Sequence, residues 1–196
     1  AWVKYAEKND PDVVSNLSTC RSPMQMFAAV IKEHHKHSPR KQIHVAVMPC
    51  TAKKAEAARE EFRTEAGPDV DFVLTTQEII QMIKESGLVF SELEPEAVDM
   101  PFGTMSGAGV IFGVTGGVTE AVLRRIISDK SAAALQAIAF KGIRGADGVK
   151  EAAVKYGDRE LKIAVVSGLG NAHELIKRIR NGEHYDFVEV MACPGG

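Results

Sequence analysis

The sequence predicts an α/β fold: two lobes of mostly parallel sheet flanked by helices, with the active site in the cleft between them. Two observations carry that expectation. Short β-branched runs alternate with segments of helical periodicity, the pattern of βαβ units. Two of those runs also end in a cysteine, MPC at residues 48–50 and MAC at residues 191–193, which points to two lobes meeting over a shared site. At 196 residues and 45% hydrophobic content the chain has material for a sizeable core.

Taken in order, residues 2–8 read as a helix that Asn9, Asp10 and Pro11 break. Ser22 caps the next helix with Pro23 at its first position, and Met26, Phe27, Val30 and Ile31 form its apolar stripe. In residues 43–48, Ile43, Val45 and Val47 alternate with His44 and Ala46, and Met48 extends the run; a strand covered on both faces is expected. Pro49 ends its ladder, having no N–H to give, and Thr51 is the expected cap of a helix running through Ala58. Residues 71–75 form the next strand; Thr76 is expected to cap a helix over 77–86, and Gly87 to close it.

Residues 91–105 are acidic and irregular, with Pro95 and Pro101, and read as the connection between lobes. A glycine-rich stretch over 107–117 leads into a helix over 118–127. Strands are expected at 135–140 and 161–166, a helix at 171–180, and a last strand from Tyr185 toward Met191.

Cys50 sits just past the carboxyl end of a parallel strand, where open α/β sheets place their sites. Lys53 and Glu56, three apart, share a helix face with it in reach, so a thiol, an ammonium and a carboxylate converge. In most proteins such a cysteine is a small core residue and such a pair is a solvated ion pair. The second cysteine-tipped strand, ending at Cys193, favours the functional reading.

Three widely spaced cysteines make no disulfide scaffold and fit a reducing compartment with metal or redox chemistry. The expected location is the cytoplasm, with the periplasm as the alternative. No CxxC is present, so a metal site must be assembled from distant segments. A net charge of −2 leaves no basic excess for nucleic acid, and no transmembrane run is visible. GAGVIFGVTGG, residues 107–117, is not a dinucleotide fingerprint, because its third glycine falls one place late. GLGN, residues 168–171, opens a helix where an anion could sit, though a plain tight turn is the commoner use. His34, His35 and His37 lie among lysines at a solvated helix end.

MPCTAKKAE, residues 48–56, resembles the second signature of the iron–iron (FeFe) hydrogenases, MPCxxKxxE. VEVMACPGG, residues 188–196, resembles the start of their third. Ser22-Pro23 with Gln25 and Met26, GAGVIFGVTGG, Arg144-Gly145 with Asp147-Gly148, and GLGN fall in the family's order, so the resemblance covers the whole chain. It implies an internal fragment of the catalytic domain, bounded by the outer cluster signatures.

By resemblance, Cys50 and Cys193 ligate a 4Fe-4S cubane, which is bridged to a two-iron subsite carrying carbon monoxide, cyanide and a bridging dithiolate. Lys53 holds a cyanide, Glu56 fixes Lys53, and Ser22 faces the same subsite. Met48, Pro49, Phe112 and Met191 form its apolar wall. Ser18 resembles a proton-relay serine, although a turn or cap accounts for it almost as well. Cys20 has no counterpart among the family's ligands and reads as structural.

The implied activity is reversible oxidation of hydrogen to protons and electrons. The implied partners are ferredoxin or accessory iron–sulfur domains and maturation proteins. Two departures mark a divergent subgroup, such as a sensory hydrogenase: Met24 stands where the family commonly has a glutamine, and residues 102–106 lack its glutamate. The reading from another class is a non-catalytic iron–sulfur assembly protein resembling nuclear prelamin A recognition factor, which keeps both cysteine strands. The fit of GAGVIFGVTGG, Phe112 included, favours the hydrogenase.

Overall fold

The computed structural model describes residues 1–65, 67–127 and 148–193. The chain divides into two compact units, Asn16–Glu96 and Ala1–Ser15 with Ala97–Gly196. Both are mixed α/β, with small sheets flanked by helices.

In the unit Asn16–Glu96, Pro23–His34 forms α2, following the first helix of the chain, Trp2–Asn9 (α1). Val45–Met48 (β1) leads into Ala52–Ala57 (α3), and Phe72–Thr75 (β4) into Thr76–Glu85 (α4). A two-residue ladder pairs Arg63–Thr64 (β2) with Gly67–Pro68 (β3) between them. β1 and β4 run parallel, with Val45 opposite Phe72 and Val47 opposite Leu74. Met24 and Ala28 of α2 pack with Val70 and Val73, and Ala46, Met48 and Ala57 close the cluster.

Only that face of the sheet is covered. Val45 and Val47 are each 51% exposed and Phe72 58%, so the expectation of a strand covered on both faces is corrected among the described residues. The β-branched run does form a strand, but period-2 alternation reports two faces without saying what lies on either.

Two caps also differ from expectation. Thr51 precedes α3 in helical conformation and makes no side-chain cap bond. Thr75, not Thr76, caps α4: its hydroxyl accepts from Glu78 N–H, and the Glu78 carboxylate accepts from Thr75 N–H, a complete capping box. Ser22 caps α2 as expected, with Pro23 at the first position. Gly87, at φ +75°, follows the end of α4 in the left-handed conformation that glycine adopts without strain.

In the other unit, Gly107–Ile111 (α5) and Gly117–Ile126 (α6) precede Val149–Tyr156 (β5), Arg159–Ser167 (β6), Leu169–Arg180 (α7) and Phe187–Met191 (β7). The sheet order is β5-β6-β7, antiparallel then parallel, so it is mixed rather than mostly parallel. β5 is an addition to the expected elements. Its hairpin to β6 turns on Gly157, at φ +59°, and Asp158, the pattern of a type II′ turn. The expected strand at 135–140 lies outside the described residues.

β6 is the centre of this unit. Ile163 and Val165 pack with Leu123 of α6, and Phe187 joins them; Ala164 and Val166 pack on the other face with Ala172 and Leu175 of α7. Full burial of each of the larger side chains contributes roughly 1.5–3 kcal/mol. Asp10, fully buried, accepts from Arg180 at 2.9 Å and so ties the end of α1 to α7. No helix among the described residues is long and apolar enough to cross a membrane.

Candidate functional site

The first cysteine corner is built by local sequence. β1 ends at Met48, Pro49 stops it, Cys50 follows half-buried, and α3 begins at Ala52. From the first turn of α3, Lys53 Nζ donates to Glu56 Oε2 at 2.7 Å. Their side chains are 28% and 21% exposed, so this pair is better shielded than a typical surface ion pair. The other Glu56 oxygen accepts the hydroxyl of Ser22, the cap of α2, 34 residues earlier. Ser22, Lys53 and Glu56 therefore form one group, with Glu56 at its centre.

The next lysine behaves differently. Lys54 Nζ reaches Glu78 of the α4 capping box at 2.7 Å, and both are more than 40% exposed. That ammonium, with the Thr75 N–H and hydroxyl, pulls the Glu78 carboxyl down to about 2.

Arg21 braces the same unit. It donates to the buried carboxylate of Asp69 at 2.6 Å, and Lys32 reaches the same carboxylate at 3.5 Å. Met24 lies in the core cluster of this unit and is a packing residue. Its neighbour Gln25 is fully buried. Met48 packs against the same cluster, and Pro49 is exposed. Ser18 Oγ accepts from Cys20 N–H at 3.1 Å, a local turn bond on an exposed segment.

The second corner is the end of β7. Met191 is half-buried and its carbonyl accepts from Gly168 N–H at 2.8 Å, so the GLGN turn holds the strand end. Asn171 Nδ2 donates to Ser167 O at 2.6 Å and closes that turn on itself. Gly168 is thus the residue before α7, at φ +87°, and Leu169, Gly170 and Asn171 form the first turn of that helix. Cys193, two residues beyond β7, is exposed. Phe112 follows α5 and is half-buried; Ser106 caps α5 by accepting from Gly109 N–H at 3.1 Å.

Sequence reading misses Glu189, in the middle of β7. It is 7% exposed, and its carboxylate accepts from Gly116 N–H and Thr119 N–H at 2.7 Å each and from the Thr119 hydroxyl at 2.6 Å. A lone acid inside a strand carries no local signature. The available signal is its placement in a run that is otherwise apolar.

None of the three cysteines is in a disulfide, and among the described residues no three acidic, histidine or cysteine side chains gather as a metal-holding group. Two of the three thiols, Cys50 and Cys193, lie just past the end of a strand.

Comparison with known proteins bears on those thiols. The family model described as "Iron only hydrogenase large subunit, C-terminal domain" matches residues 1–196. The "NADP-reducing hydrogenase subunit HndD" of Solidesulfovibrio fructosivorans is 48% identical over 199 residues, which cover 100% of this chain and 34% of the relative. "Cytosolic iron-sulfur assembly component 3" of Pongo abelii is 34% identical over 209 residues, covering 100% and 43%. Among solved structures, an apo variant of the FeFe-hydrogenase HydA1 from Chlamydomonas reinhardtii superposes with a TM-score of 0.72 at 32% identity, covering 98% of this chain and 57% of the other. The chain spans about a third of the length of the hydrogenase relative.

Proposed function

Residues 1–196 belong to the iron-only hydrogenase family, within the C-terminal domain of its large subunit, and on that footing we propose that the chain is part of the catalytic domain of an FeFe hydrogenase interconverting hydrogen with protons and electrons. The observation that carries the reading is the Ser22–Glu56–Lys53 group, in which the cap residue of α2 meets the helix that follows Cys50. Its members are the residues expected to face or support the cofactor, and they meet through one carboxylate.

The donor set fits the cofactor that the family implies. Thiolates are the usual protein ligands of iron–sulfur clusters, and Cys50 and Cys193 are both free thiols. In this reading they hold the 4Fe-4S cubane, with further ligands from protein outside residues 1–196. When bound, the cubane and its two-iron subsite, with carbon monoxide, cyanide and a bridging dithiolate, supply the hydrogen-splitting and electron-transfer chemistry.

The protein's own part is binding and orientation. Glu56 restrains the Lys53 ammonium, which would donate a charge-assisted hydrogen bond to a cyanide of the bound subsite. Ser22 adds a hydroxyl from the start of α2. Met48, Pro49, Phe112 and Met191 would supply apolar wall to the bound subsite. Ser18 Oγ passes a proton, a role its bond to Cys20 N–H leaves open, since the hydroxyl hydrogen is not used there. Ferredoxin or accessory iron–sulfur domains take the electrons, maturation proteins load the subsite, and the cytoplasm is the setting.

The 34% identity to an assembly component supports the alternative of a protein that carries iron–sulfur clusters without hydrogen chemistry. The test is the full-length parent protein expressed with its maturation machinery. Infrared bands of metal-bound cyanide and carbon monoxide, together with hydrogen evolution from a reduced dye, are expected. A protein that holds a cubane but shows neither belongs to the assembly class.

A further inference from the structure

Glu189 is a carboxylate buried in a sheet where every neighbour along the strand is apolar. Val188 and Val190 face α7 with Ala164 and Val166, and Phe187 packs against Leu123 of α6. A buried charge of this kind persists only when fully hydrogen-bonded. Here three donors satisfy it, and all three come from the start of α6. Gly116, the residue before that helix, has no side chain with which to cap it. Glu189 takes over the cap from a strand about 70 residues later in the chain, complementing the positive end of the helix.

The cap holds more than one helix. A Cβ at Gly117 would lie 1.7 Å from the carbonyl oxygen of Ile111, so the end of α5 is pressed onto the start of α6. The turn between them carries Phe112. Two residues after Glu189, the backbone of Met191 is held by Gly168. β7 is therefore fixed at two successive points, by side chain at 189 and by backbone at 191, immediately before Cys193.

We propose that Glu189 is a positioning residue for the cofactor site: it locks the strand that presents Met191 and Cys193 to the glycine-rich segment that presents Phe112, so that ligand thiol and apolar wall keep a fixed spacing. The proposal rests on reading Cys193 as a cubane ligand. The capping bond explains why a carboxylate sits in this strand; the last two glycines of GAGVIFGVTGG are required separately, Gly116 by its φ of +83° and Gly117 by the Ile111 carbonyl oxygen.

The test uses the full-length protein assembled with its cubane but without the two-iron subsite. Glu189→Gln keeps the shape and turns one acceptor into a donor facing N–H groups. Leu123→Ala is the control, since it loosens the same helix from the same sheet without touching the carboxylate. Glu189→Gln is expected to lower cubane retention about 10- to 100-fold, as loss of a ligand-orienting partner does, and to alter the electron paramagnetic resonance line shape of the reduced cubane. Leu123→Ala, at equal or greater loss of thermal stability, is expected to keep the wild-type line shape.

A wild-type line shape and retention in Glu189→Gln would overturn the proposal, as would the same change in Leu123→Ala, which would make Glu189 a general stabiliser. If Glu189→Gln does not fold, Thr119→Val decides. It removes one of the three donors and should shift the line shape in a manner Leu123→Ala does not; an unshifted spectrum overturns the lock. A Cys193→Ser variant that retains its cubane unchanged would instead overturn the ligand reading beneath it.

Discussion

Lys54 Nζ lies 2.7 Å from Glu78 Oε1, joining the helix after Cys50 to the capping box of the next helix. Lys53, its neighbour in sequence, turns to Glu56 instead. Two adjacent lysines thus serve different ends, and their substitutions should separate.

For Lys54 the expected effect is on stability and depends on pH. The folded carboxyl of Glu78 is lowered from 4.5 to about 2, first by the hydrogen bond from Lys54. A lowered carboxylate stabilises the fold above its unfolded value, and that contribution disappears as pH falls from 4.5 toward about 2. Lys54→Met should lower the thermal midpoint slightly at neutral pH and leave hydrogen turnover unchanged. The difference from wild type should shrink on acidification; a difference that grows would refute the assignment.

Lys53→Met keeps the stem and removes the charge. In the matured full-length protein it should retain the cubane and lose most of the two-iron subsite, a loss on the order of 3 kcal/mol for a buried charged partner left unpaired. Infrared spectra of bound cyanide measure this directly. Wild-type cyanide bands in the variant would make Lys53 an ordinary lysine.

Ser22→Ala removes two bonds, the cap to Gln25 N–H at 3.4 Å and the donation to Glu56. The cap alone is worth about 0.5–2 kcal/mol. Denaturant unfolding should show a loss in that range, and Ser22→Thr should recover most of it. No change on Ser22→Ala would mean that the long cap bond contributes nothing.

Residues 1–196 expressed alone should not hold a stable cubane, because a cubane takes four thiolates and the chain has three cysteines. Reconstitution with iron and sulfide, followed by electron paramagnetic resonance, checks this. A stoichiometric reducible cluster would require another ligand among the residues present.

What can be read from the sequence is local. The Cys50–Lys53–Glu56 spacing is visible because helix geometry fixes which residues share a face. The helix starting at Pro23 is visible because serine and proline stand in their preferred places. The cap of α4 is one residue earlier than expected, since Thr75 and Thr76 are equivalent by type and only the reach of Glu78 separates them. β5 escapes because its lysines and alanines give a weak alternation, although Gly157-Asp158 is a usable hairpin signal. The hydroxyl of Ser22 on Glu56 and the carboxylate of Glu189 on α6 span 34 and about 70 residues. No window along the sequence contains such contacts; they exist only after the strands have paired.

Gly117 restricts the gene as well as the fold. Every codon one base away from a glycine codon that is not a stop or synonymous specifies a residue with a Cβ. That atom would fall 1.7 Å from the Ile111 carbonyl oxygen, which belongs to the backbone and has little room to give. Gly113, four positions earlier in the same motif, has nothing within 4 Å of where its Cβ would be. Drift in the nucleotide sequence should therefore run freely into protein change at one glycine of the motif and stop at the other.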